Sequence, residues 1–96
     1  MERYFEWDDK KAESNFHKHG IRFEEAAMVF GDPFAVSEQD RIESGEQRWQ
    51  TVGMASGYLL LLVAHTARFE SEGVEVVRII SARRVDRKER RRYEQG

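Results

Sequence analysis

The densest chemistry in the chain lies towards its end. Arg83, Arg84, Arg87, Lys88, Arg90, Arg91 and Arg92 put seven cations within ten positions. A guanidinium fork matches a pair of phosphate oxygens, so a run dominated by arginine points to phosphate contact. On a helix, Arg83, Arg87 and Arg91 (or Arg90) share one side. The same run also reads as a solvated face pairing with Glu89 and Glu94, or as a surface for an acidic partner. Arg78 stands apart, between Val76 and Ile80 in an otherwise apolar stretch. A cation there is costly unless it is paired or opens onto a polar cleft. Either a carboxylate such as Glu46 or Glu75 takes its head, or it lines an anion site. His65 follows the apolar run 59–64 and shares its alternation with Leu59, Leu61 and Val63. Imidazole exchanges protons near neutrality, so His65 is both a general acid–base candidate and a structural strand-end histidine.

Other titratable residues form no such group. His17 and His19 are two apart and point to different sides of a helix. No His/Asp/Glu cluster has ligand spacing and there is no cysteine, so neither a metal nor a cofactor is expected. Lys18 and His19, just before Gly20, suit the last turn of a helix, where cations complement its dipole. Trp7 and Trp49 read as core or interface anchors. There is no phosphate-binding glycine loop, nucleophile elbow or nucleotide fingerprint.

The elements that must carry these residues follow from patterning. Residues 4–7 alternate aromatic and charged side chains, as in a short strand. Asp8 or Asp9 can cap a helix whose face holds Ala12, Phe16 and His19 and which Gly20 ends. Phe23, Ala26, Ala27 and Phe30 make the stripe of a second helix, with Glu24 and Glu25 in its first turn and Gly31-Asp32-Pro33 after it. The polar stretch 37–47 reads as an exposed loop. Strands are expected over 48–54, 58–66 and 74–82, in an antiparallel meander because the links are short. The last two are apolar on both faces, so both faces should be covered. Asp86-Arg87-Lys88-Glu89 has capping-box spacing and opens a third helix, whose only apolar surface is Val85 and Tyr93. Too short and too charged to stand alone, it must dock. The order is β-α-α-β-β-β-α, an α+β domain.

Ninety-six residues, 40% of them apolar, make one domain spanning 1–96 with one modest core. No run approaches the roughly eighteen apolar residues of a membrane span, and no basic-then-apolar leader is visible, so a cytoplasmic protein without membrane contact is expected. The net charge of −2 hides an asymmetry. Residues 78–96 hold eight basic and three acidic side chains, while 1–77 hold eight basic and fifteen acidic. That balance suits local phosphate contact and not wholesale coating of nucleic acid.

The chain resembles the BrnT toxins of bacterial type II toxin–antitoxin systems. The resemblance is carried by Phe5-Glu6-Trp7-Asp8, Lys11, Asn15, Lys18-His19-Gly20-Ile21, Phe23-Glu24-Glu25-Ala26 and Phe30-Gly31-Asp32-Pro33. It continues through Glu46, Arg48, Val52 and Gly53 to Arg78-Ile79-Ile80-Ser81-Ala82-Arg83-Arg84, Glu89-Arg90 and Tyr93. Arg22 departs from the small hydroxyl residue usual before Phe23, which removes a helix cap worth about 1 kcal/mol.

The resemblance implies a RelE-like fold, a curved antiparallel sheet with helices packed on it. It implies a metal-independent ribonuclease that halts translation, in which a ribose 2′-OH attacks the adjacent phosphate. By this reading His65 is the first choice for proton transfer and Glu89 the competing base. Arg78 and Arg83 stabilise the phosphorane and Tyr93 orients a base or phosphate. Arg48, Arg87, Arg90 and Arg91 hold the RNA backbone, with Lys18 and His19 in reserve. The implied partner is a BrnA-like ribbon-helix-helix antitoxin in a heterotetramer, which alone would bring promoter DNA. The alternative is a non-catalytic binding module whose basic helix docks such a partner.

Overall fold

The computed structural model describes residues 2–96. The chain opens with strand β1 (Glu2–Glu6), then helices α1 (Asp9–His19) and α2 (Phe23–Met28), the latter running into a 3₁₀ turn at Val29–Gly31. Strands β2 (Val36–Glu43), β3 (Glu46–Ala55), β4 (Leu59–Ser71) and β5 (Val74–Arg84) follow, and helix α3 (Arg87–Gln95) closes the fold. The five strands form one sheet in the order β1-β5-β4-β3-β2. All neighbours are antiparallel except β1, which lies parallel to β5. The α+β class and the order of elements are as expected, with one strand added.

That strand is β2, where a loop was expected. The stretch is exposed, as its polarity requires, yet extended and paired with β3. Its turn explains the pairing: Ser44 and Gly45 both take positive φ (54° and 77°), the geometry of a two-residue hairpin whose twist matches its strands.

Asp8 caps α1, its Oδ1 accepting from the N–H groups of Lys10 (2.8 Å) and Lys11 (3.1 Å). Gly20 ends α1 in the left-handed conformation, φ 70°. Among the residues of α1 the buried one is Asn15, not the Ala12–Phe16–His19 stripe. Strand β1 accompanies β5 only as far as Arg78, leaving the next part of that edge open. Asn15 takes the missing strand's place: its Oδ1 accepts from Ala82 N–H (3.0 Å), and its Nδ2 donates to the carbonyls of Ala82 (2.9 Å) and Ile21 (3.1 Å). At α2, Glu25 reaches back to accept from Arg22 N–H (2.9 Å), and the Arg22 guanidinium lies 4.5 Å from the Phe16 ring centroid.

One face of the sheet is covered by the first helices and the other only in part, short of the full cover expected for both. Ile21, Phe23, Ala26 and Val29 pack with Leu59, Leu61, Val63, Val77 and Ile79 on one face. On the other, Val52, Leu60 and Leu62 meet Val85 and Tyr93, so α3 covers part of that face and leaves the rest open. Asp86 caps α3 and Glu89 completes the box, with bonds of 2.8 and 2.9 Å. Among the described residues, no helix is long and apolar enough to cross a membrane.

Candidate functional site

One irregularity in β5 builds the site. Ala64 pairs with Ser81 but His65 pairs with Ile79, so Ile80 is an extra residue, a β-bulge. In unbroken alternation Arg78 and Arg83, five apart, would face opposite sides. The bulge brings both to one side, Arg78 across from Thr66 and Arg83 across from Leu62. This is the face that α3 leaves partly open. Arg48, next to Trp49 in the register with His65, belongs to it too.

Each arginine is held by a carboxylate. Glu89, buried at the start of α3, accepts from both ends of the Arg83 fork, at 2.9 and 2.8 Å. Arg83 Nη1 also donates to the Arg84 carbonyl (3.1 Å), which leaves two of its five N–H donors uncommitted. The Arg83 fork holds the Glu89 carboxyl below its usual range, and Glu89 in turn raises Arg83. Arg78 donates to Glu6 at 3.1 Å, not to Glu46 or Glu75. The parallel register sets Glu6 beside Arg78, whereas Glu75 pairs with Arg3 at 2.7 Å. Glu6 also receives Arg68, at 3.1 and 3.2 Å, and the two arginines hold its carboxyl low. Arg48 pairs with Glu43 at 3.0 Å, but its buried Nε has no hydrogen-bond partner. Arg48 also lines a cavity of about 210 Å³, with Asp40, Arg41, Gln50, Ser81 and Arg83 over an apolar floor.

His65 stands on the opposite face, against Phe30 of the 3₁₀ turn, and is not brought together with the arginines. It is buried, with the Phe30 ring edge-on at 4.8 Å. Its Nε2 lies 2.7 Å from Thr51 Oγ1 and its Nδ1 3.3 Å from the Thr66 carbonyl. Burial pushes the imidazole down, so it is neutral at pH 7. Tyr93 docks α3, donating to Asp32 Oδ2 at 2.6 Å. That bond pushes its hydroxyl up to about 12. Burial acts to raise Asp32, but the bonds from Tyr93 and from the N–H groups of Phe34 and Met54 outweigh it and hold the carboxyl low.

Arg87, Arg90 and Arg91 are exposed on α3, and among the described residues no carboxylate lies within 4.0 Å of them. Arg92 alone of that run reaches a strand, pairing with Glu38 of β2. Lys18 and His19 are exposed in the last turn of α1, on the helix side of the sheet. Glu6, Arg41, Gln50 and Ser81 went unassigned to the site. Arg41 was hidden in the supposed loop, and only strand pairing could join Glu6 to Arg78. Among the described residues, no group of three or more His, Asp or Glu side chains could hold a metal ion.

Residues 7–89 match the model of a family described as "Ribonuclease toxin, BrnT, of type II toxin-antitoxin system". The chain belongs to the BrnT family. Among solved structures it is similar to the Brucella abortus ribonuclease toxin BrnT, at 17% identity and a TM-score of 0.60, over 91% of this chain and 100% of that one. No curated protein sequence matches it. BrnT proteins are ribonuclease toxins, and a type II toxin has an antitoxin partner. The family match covers every arginine of the open sheet face and stops at Glu89, the residue that fixes Arg83.

Proposed function

We propose that this BrnT-family chain cuts RNA on its arginine face without a metal ion and so stops translation. The observation that carries the reading is the bulge at Ile80, which puts Arg78 on the same face as Arg83, where Arg83 and Arg48 line a small cavity. In the reaction the ribose 2′-OH passes its proton to Glu89 and attacks the adjacent phosphorus, and the proton returns to the leaving 5′-oxygen. The products are a 2′,3′-cyclic phosphate and a 5′-OH. Arg83 and Arg48 face the charge that builds on the phosphorane oxygens, and Arg78 holds the neighbouring phosphate. Glu89 fixes the plane of the Arg83 fork. Of the two proton-transfer candidates, it alone shares this face. Arg87, Arg90 and Arg91 guide the RNA backbone from outside. Tyr93 acts by docking α3, and His65, Lys18 and His19 stand outside the reacting group.

The test is cleavage by the antitoxin-free chain in EDTA, on free RNA and on translating ribosomes, with end-group analysis. Arg83→Ala should slow cleavage by about 10²–10³-fold. His65→Gln should keep most of the activity. Full activity in Arg83→Ala, or its loss in a folded His65→Gln, would move the chemistry off this face.

The proposed partner is a BrnA-like ribbon-helix-helix antitoxin, in a heterotetramer that reaches promoter DNA through the antitoxin. A second reading, a binding module without nuclease activity, is favoured by the unpaired Arg87, Arg90 and Arg91 on α3. A folded chain that cuts neither free nor ribosome-bound RNA yet binds the antitoxin would select it.

A further inference from the structure

The sheet face opposite Arg48, Arg78 and Arg83 carries a second cavity, of about 310 Å³, lined by strand residues and by Phe30 of the 3₁₀ turn. That volume lies at the low end of small-molecule sites, which run from roughly 300 to 1,000 Å³, so it admits one ring system. Three aromatic rings line it, Phe30, Trp49 and Phe69, and Phe69 is 66% exposed. A large exposed aromatic at the mouth of a pocket is a stacking surface without a partner.

Its polar groups are specific in kind. Inside, Ser37 Oγ, Thr51 Oγ1 and His65 Nε2 form a chain with both links at 2.7 Å. The direction of that chain is fixed from its far end. The Thr66 carbonyl can only accept, so His65 Nδ1 carries the proton and Nε2 accepts from Thr51. Thr51 therefore accepts from Ser37, and the Ser37 hydroxyl turns its lone pairs outward. At the rim Glu75 uses one carboxylate oxygen for Arg3 Nε and keeps the other free. Arg3 spends a further donor on the Phe30 carbonyl, at 3.3 Å. Ser37 and Glu75 thus offer acceptors, and the Glu75 charge disfavours a phosphate.

We infer that this cavity binds a single nucleobase, stacked on Phe69 and Trp49, with its paired N–H donors on Glu75 and its far side towards Ser37, which lies across β3 and β4 from Glu75. Guanine suits it best, because N1–H and the 2-amino group present adjacent donors on one edge, which a single carboxylate can accept. The base can come from a free nucleoside or from an RNA strand. The second source rests on the RNA reading above and makes the cavity a determinant of where the strand is cut. Trp49, expected as a core or interface anchor, becomes a stacking wall.

The test follows the two indole N–H signals by NMR in the full chain during titration with guanosine, adenosine, cytidine and uridine. Trp7, packed against Phe23 at 5.9 Å, is the internal control. Guanosine should move the Trp49 signal at the lowest concentration and leave Trp7 still. Phe69→Ala, at an exposed position, should weaken binding about tenfold or more. Glu75→Gln should narrow the preference for guanosine over adenosine. No Trp49 shift with any nucleoside, or an unchanged affinity in Phe69→Ala, would overturn the inference. So would indole or phenol binding as tightly as guanosine, which would assign the cavity to a protein side chain. An RNA oligomer with an uncleavable 2′-deoxy guanosine separates the sources: a Trp49 shift matching that of guanosine supports the strand as donor of the base. Because nucleosides are not cut, these outcomes do not depend on Arg83→Ala or any other cleavage result.

Discussion

Arg48 holds a buried Nε–H with no acceptor. Leaving such a donor unpaired costs about 1–3 kcal/mol. Arg48→Met keeps the stem and removes the orphan, so the variant should unfold at higher urea while binding RNA more weakly. A variant less stable than its parent would show that the Glu43 pair outweighs the orphan. Asn15 is the converse case, a polar residue whose bonds are complete. Asn15→Leu strips Ala82 of partners for both its N–H and its C=O, and should cost about 2–4 kcal/mol in denaturant unfolding. His65 sets a pH dependence. Its folded pKa lies below 6.5, so under acid conditions the unfolded chain takes up the proton first. Stability should therefore fall as pH drops below about 6.5, until the lowered folded value is passed. Glu6, Asp32 and Glu89 are also held low, but their contributions are lost only under more acid conditions, below about 4.5. Melting temperatures at pH 7 and 5.5 should therefore differ more in the parent than in His65→Gln. Equal differences would remove His65 as the cause.

The bulge in β5 decides which side chains can meet. Alternation alone assigns Arg78 and Arg83 to opposite faces, and one extra residue at Ile80 reverses that. Nothing in the composition of 78–83 marks the bulge, so the arginines were legible as candidates but their shared face was not. Both helices of the first half, the Asp8 cap and Gly20 stop of α1, and the capping box at Asp86 could be read, because each rests on contacts within a few residues. The β2 strand could not, since its side chains face water and only its backbone pairs. Glu6 was missed for a related reason, its partner being 72 residues away. Gly53 shows how closely two elements approach. A Cβ there would sit 2.7 Å from Val29 Cγ1 and 3.1 Å from the Val29 carbonyl oxygen. Backbone cannot yield as a side chain tip can, so Gly53→Ala should destabilise by about 1–3 kcal/mol in denaturant unfolding.

The molecule as a whole is weakly acidic, with net charge −2, yet presents arginines on an open sheet face and along α3. Salt should tell which set meets RNA. For single strands, log affinity falls with log salt at about −0.7 per phosphate neutralised. Arg48, Arg78 and Arg83 alone give a slope of about −2, and adding Arg87, Arg90 and Arg91 gives about −4. Filter binding of a cleavage-resistant RNA across a salt series would separate the two. A slope near zero would remove phosphate contact altogether.

The pairing of β1 with β5 bears on how the chain is born. A ribosome makes β1 first, but its partner strand begins only at Val74, after all the other strands have been made. Glu6 has no arginine to hold until Arg68 and Arg78 emerge, and Arg83 has no Glu89 until α3 follows. Strands this distant in sequence pair late, because the loop between them must close first. Until α3 has emerged, the nascent chain therefore has loose arginines and no assembled face. Assembly waits for the closing helix, so the arginine face is among the last parts of the molecule to form.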